Sequence, residues 1–224
     1  MIHIPAGEFI LGSDRGEDYE GPQRVVCLGD YWIDQFPVTN QEFAKFVFDS
    51  KYRPTGTWDP QSVRSKGTHP VTGITWRDAH EYGAWCNKRL PTEYEWEKAG
   101  RGTQGPRFPW GNQWNAANCC CWEGGARSTC SVGAHQADKS PFGVVDMAGN
   151  VSEWCSNDFE FDRYALIEAT NPSVTSDSQV RAVRGGNWLE VDRSSFELFR
   201  RGMMNTAASN GCVGFRCCRD TPPK

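Results

Sequence analysis

Hydrophobic positions along this chain come in short runs, and three of those runs carry the helical period. In "TNQEFAKFVFDS", Phe43, Phe46 and Val47 fall at i, i+3 and i+4, which puts them on one helix face. Thr39 and Glu42 stand ahead of that face at capping-box spacing, where each side chain can bond the other residue's free amide. "TWRDAHEYGAWCNKR" repeats the device with Thr75 and Asp78 before the stripe Ala79, Tyr82 and Cys86. "PTEYEWEKAGRG" repeats it again with Thr92 and Glu95, and Gly100 or Gly102 provides the stop. The pattern predicts three short helices, all before residue 102.

The rest has strand character or no period. "HIPAGEFILGS" and "RVVCLGDYWIDQFPVT" read as strands bounded by Gly and Pro. So do "FGVVDMAG", "VSEWCS", "QVRAVRGGNW" and "VGFRCCRD". In the last, alternation sends Val213, Phe215 and Cys217 one way and Arg216 and Cys218 the other, a final buried strand. Residues 101–142 lack periodicity, and in a compact domain a loop that long is functional or unusual. No period lasts through "RGGNWLEVDRSSFELFRRGMMN" either. No repeat or linker divides the chain, so residues 1–224 read as a single α+β domain.

Composition says what fills that domain. With 224 residues the chain can bury a sizeable core, and 10 Trp with 12 Phe make it a core of large rings. A net charge of -4 argues against a nucleic-acid groove and against an anionic membrane surface. No apolar run approaches the roughly 18–20 residues of a membrane helix. The start, "MIHIPAGEFILGSD", has neither the basic region nor the apolar stretch of a secretory signal, so the expected location is cytoplasmic. Cys119, Cys120 and Cys121 are consecutive and no C-x2-C pair occurs, which fits neither a disulfide framework nor a zinc site. Most of the cysteines are therefore read as free thiols.

Little else reads as chemistry. His3, His69, His80 and His135 share no ligand spacing, and there is no nucleophile elbow or phosphate loop. In "DMAGNVSEW", Asp146 and Glu153 flank a turn that exposes carbonyls, a donor type that suits calcium. With only two acids, a turn whose carboxylates cap backbone N–H groups is the stronger reading of the spacing. The segment from Arg184 to Asn205 joins rings and thioethers to mixed charge, a composition enriched at interface cores.

In order along the chain, "IPAGEFILGS", "YWIDQFPVTNQEFAKF", "KRLPTEYEWE", "RFPWGN", "DMAGNVSEW", "RGGNW" and "VGFRC" together resemble the formylglycine-generating enzyme / sulfatase-modifying factor family. The resemblance runs over residues 3–218. It implies a C-type-lectin-like fold with few short helices, short antiparallel strands, neighbouring termini and a long irregular upper face. It implies calcium held by the Asp146 and Glu153 side chains and the Gly149 and Val151 carbonyls.

The family's enzymes make formylglycine with a copper-holding cysteine pair set between the Gly-Gly turn and the Gly-Phe-Arg motif. This chain has no cysteine between Cys155 and Cys212. The family's first cysteine aligns with Glu190 or Val191 and the second with Phe196, none of which offers soft sulfur, so no copper is expected.

The expected function is therefore a non-catalytic ligand- or protein-binding module. Its upper face, residues 187–204, would bind through Trp188, Glu190, Asp192, Arg193, Phe196, Glu197, Arg201, Met203 and Met204. The expected partner is a protein or peptide; a glycan follows only by analogy of fold, and neither nucleic acid nor membrane is expected. One alternative is a metal-dependent oxidoreductase, formylglycine-generating or sulfoxide-synthase-like, rebuilt around Cys212, Cys217 or Cys119–Cys121. Another is a variable protein of a diversity-generating retroelement. Adenine-directed mutagenesis does not readily yield the Glu190, Glu197, Met203 and Met204 found here.

Overall fold

The computed structural model describes residues 1–172 and 178–223, apart from the side chain of Arg163. The order begins with β1 (Ile2–Ile4), β2 (Gly7–Leu11), β3 (Arg24–Leu28) and β4 (Tyr31–Ile33). Four helices follow: α1 (Asn40–Ser50), α2 (Ser62–Lys66), α3 (Trp76–Trp85) and α4 (Glu93–Arg101). A long irregular stretch leads to β5 (Ser152–Asp158), α5 (Arg163–Leu166), β6 (Val180–Arg184), β7 (Arg201–Asn205), β8 (Val213–Gly214) and β9 (Cys218–Arg219).

All three capping boxes form. Thr39, Thr75 and Thr92 each accept from the amide three residues on, and Glu42, Asp78 and Glu95 each accept from the cap amide. Gly102, rather than Gly100, ends α4, at φ 60. The main sheet runs β7-β6-β5-β8 and a second runs β1-β4-β9, while β2 and β3 form a separate pair. Because β9 joins β4, with Trp32 opposite Arg219, both ends of the chain meet in one sheet.

The core is aromatic, as the composition requires. Phe43 packs its ring against those of Phe46, Trp58, Tyr82 and Phe215. Buried ion pairs stitch the layers together. Glu97 of α4 joins Arg101 and Arg184 and accepts the Gly12 amide at 2.7 Å, tying α4 to β6 and to the end of β2.

Several elements differ from the sequence pattern. α2 buries no side chain and α5 is a single turn, so neither leaves a readable stripe. "FGVVDMAG" is not a strand, because Asp146, Gly149 and Asn150 have φ of 57, 93 and 62 and turn the backbone away from extension. β7 was not foreseen, yet it pairs with β6 over its whole length. The final strand is split into β8 and β9, although its alternation survives. Val213, Phe215 and Cys217 enter one core cluster, Cys218 enters another, and Arg216 turns to Glu153. Among the described residues, no helix is long and apolar enough to cross a membrane.

Candidate functional site

The site grows out of the end of β6. Arg184 is fully buried on Glu97 and also donates to the Arg200 carbonyl. Gly185 follows at φ 73, a conformation that favours glycine. A Cβ on Gly186 would meet the Phe196 ring at 2.5 Å, so the ring lies directly on this glycine. The double glycine thus turns the chain outward at residue 187 and lets it return underneath as Phe196.

The outgoing loop is fixed by its own polar groups. Asn187 accepts the Leu189 amide at 3.1 Å and donates to Ser152 Oγ at 3.2 Å. Trp188 is half-buried, and its indole N–H donates to the Gly211 carbonyl at 3.1 Å. Trp188 and Trp58 line a cleft of about 320 Å³ with Asn40, Lys66 and Thr129. Glu190 is half-buried and accepts from Ser195 Oγ at 3.4 Å. Asp192 caps the 193–196 turn by accepting the Ser194 amide at 2.9 Å. Arg193 makes two bonds to Glu123, at 2.9 and 2.7 Å, and Glu123 also accepts the Trp114 indole N–H at 3.0 Å. Between these anchors Leu189 and Val191 stand 50% and 72% exposed.

The residues expected to form one face do not stay together. Phe196 is 1% exposed and packs with Phe108, Cys119, Cys121 and Ala148. Glu197 is 6% exposed and ion-paired to Arg107. Arg201 is buried, bonded to Glu93 at 2.8 and 2.9 Å and stacked over Phe159 and Tyr164. These three are supports of the fold, a correction to their place on the binding face. Met203 is 53% exposed and Met204 half-buried, but both sit on β7, where Met204 packs against the core cluster that holds Trp154 and Phe215. What remains of the loop face is its tip: Trp188, Leu189, Glu190, Val191, Asp192 and Arg193. Sequence reasoning missed Leu189 and Val191, because two aliphatics in a polar stretch carry no period that says which way they point. It also missed Trp114 and Glu123, far away in the chain.

Burial, with the charge of Glu190, pushes the Cys212 pKa up. Burial does the same for Cys119, Cys155, Cys217 and Cys218. Cys86 alone among the shifted thiols goes down, through a hydrogen bond from Cys217, and it lies at the end of α3. Cys120 and Cys130 form a disulfide, a departure from the free-thiol expectation, while the other eight cysteines are free.

Both carboxylates of the expected calcium set already have protein partners. Glu153 gives its two oxygens to Arg216, each at 2.7 Å, and one of them also to the Trp96 indole N–H at 2.9 Å. Asp146 accepts the Gly133 amide at 2.7 Å, and burial pushes its pKa up to about 6. With the Glu153 charge already balanced by a fully buried guanidinium, the set Asp146, Gly149, Val151 and Glu153 does not fit a calcium cage as arranged.

This fold and this Gly-Gly loop define a class. The chain belongs to the sulfatase-modifying factor enzyme 1-like domain family, whose model matches residues 1–221. It is 29% identical to an "Inactive C-alpha-formylglycine-generating enzyme 2" of Bos taurus, over 97% of this chain and 87% of that protein. It is 31% identical to a "Formylglycine-generating enzyme" of Streptomyces coelicolor, over 98% of this chain and 89% of that one. Among solved structures, PvdO from Pseudomonas aeruginosa superposes with a TM-score of 0.82 at 24% identity, covering 98% of this chain and 93% of its own. The fold is α+β and C-type-lectin-like, with few helices and short strands.

Proposed function

We propose that this chain is a binding module without redox chemistry of its own, holding a protein or peptide partner at the loop tip from Trp188 to Arg193. One observation carries this reading: Leu189 and Val191, which alternate with Glu190 and Asp192 along the chain, are held out to solvent. Burying such aliphatics against a partner is favourable by about 25 cal/mol per Å² of apolar surface. The loop is already ordered by Asn187, Asp192 and the Arg193–Glu123 pair, which lowers the cost of fixing it on docking.

The chemistry of the segment supports the same reading. Copper at a thiolate pair needs soft sulfur. The positions that align with the family's pair hold Glu190 or Val191 and Phe196, and Phe196 lies inside the core. Burial, with the charge of Glu190, pushes the Cys212 pKa up, which disfavours the thiolate. Aliphatic tips suit apolar side chains of a polypeptide, which favours a protein or peptide over a glycan.

The test pairs a binding assay with an activity assay. A partner found by crosslinking to the wild type should bind the Leu189→Asp/Val191→Asp variant at least about tenfold more weakly, or about 1.4 kcal/mol. With copper and a cysteine peptide, the protein should show no oxygen uptake above the copper-only control. Turnover of that peptide, or equal binding by the variant, would overturn the proposal.

A further inference from the structure

The cysteine run is not absorbed by the loop. Its outer members, Cys119 and Cys121, point into the core with Phe108, Ala148 and Phe196. Cys120 points the other way, to Cys130, which lies ten residues on. His135 completes a group. One nitrogen of its ring and the two sulfurs all lie within 4.8 Å of one another. It is the only such group of three among the described residues.

The surroundings hold this group in place independently of the sulfur–sulfur bond. Asn150, 1% exposed, clamps both cysteine backbones. Its amide N–H donates to the Cys120 carbonyl at 2.8 Å. Its side chain accepts the Cys130 amide at 3.0 Å and donates to the Cys130 carbonyl at 3.2 Å. His135 Nδ1 lies 3.3 Å from the Ala117 carbonyl. When it donates there, Nε2 keeps the lone pair, the arrangement that metal-bound histidines commonly have.

We propose that once the Cys120–Cys130 bond is reduced, Cys120, Cys130 and His135 bind a thiophilic divalent cation, zinc foremost. A dithiol reductant supplies two electrons and two protons, giving two thiols and its own cyclic disulfide. Zinc then displaces both thiol protons to solvent and takes two thiolates and one neutral imidazole. Zinc–sulfur bonds of about 2.3 Å set tetrahedral sulfurs about 3.8 Å apart, so the two sulfurs, bonded to each other in the oxidised protein, separate after reduction to admit the metal. No fourth His, Cys, Asp or Glu among the described residues joins the group, so water or an outside ligand takes the last position. A disulfide oxidant takes two electrons by thiol–disulfide exchange, leaves as two thiols and re-forms the Cys120–Cys130 bond, which releases zinc to solvent and makes the site redox-gated.

The experiment uses the full chain, reduced with a phosphine and stripped with a chelator. Zinc is titrated against a chromophoric competitor, and cobalt is added in parallel as a spectroscopic probe. One zinc per chain is expected, with thiolate-to-cobalt charge-transfer absorption in the near ultraviolet. His135→Ala, checked for folding by circular dichroism, should weaken zinc binding at least about tenfold. Cys119→Ser should leave binding unchanged, and the oxidised protein should bind no zinc. Three results would each overturn the proposal: no zinc on the reduced wild type at micromolar concentration, equal binding by His135→Ala, or loss of binding in Cys119→Ser. A disulfide that resists reduction in the folded protein would overturn it as well.

Discussion

Single residues in this chain exchange roles that their chemistry alone suggests. Glu153 has the right chemistry for a calcium ligand, but it is the partner of Arg216, and both are buried. Removing one member of such a pair leaves an unbalanced charge in a dry site. Arg216→Met should therefore destabilise the protein by about 3–5 kcal/mol, read from the urea midpoint. Changing Glu153→Leu in that background should cost less than it does alone, since the orphaned carboxylate is then gone. Phe196 is a similar case. It reads as an interface ring, but the missing Cβ of Gly186 gives it a seat in the core.

At the level of elements, the caps and most strands were legible, and β7 was not. A capping box is local: Thr75 and Asp78 meet because three residues of helix place them together. Asp78 shows how tertiary contacts build on such a start. Burial works to raise its pKa, but amides of Thr55 and Thr75 and the hydroxyls of Tyr52 and Thr55 outweigh it and hold the pKa down. A depressed folded pKa gives stability that is present above the unfolded value and lost as pH falls through the folded one. Asp78→Asn should therefore flatten the acid side of the stability–pH curve and lower stability near neutral pH, measured by urea unfolding at stepped pH. β7 was hidden for the opposite reason. Its register with β6 is set by pairing across the hairpin, and its burial does not follow a clean period of two.

Across the whole molecule, packing separates scaffold from surface. Arg184, Arg201 and Glu197 lie within a run that looked like one charged face, yet each is buried on a partner from another layer. The tip residues have no such duty. Leu189→Asp/Val191→Asp should change the unfolding free energy by no more than about 0.5 kcal/mol while weakening partner binding, so a calorimetric scan beside the binding assay separates contact from support. The sequence by itself determined the three capped helices, the ring-rich core, the mixed α+β class and the resemblance carried by its ordered motifs. Those are properties of neighbours in the chain, of composition, or of motif order. Only the tertiary structure decided which charges are paired, which aromatics are buried, and that Cys120, Cys130 and His135 come together. The reason is physical. A side chain's role depends on its partners in space, and Asn150 and Gly186 bring those partners from distant segments with no periodic trace in the sequence.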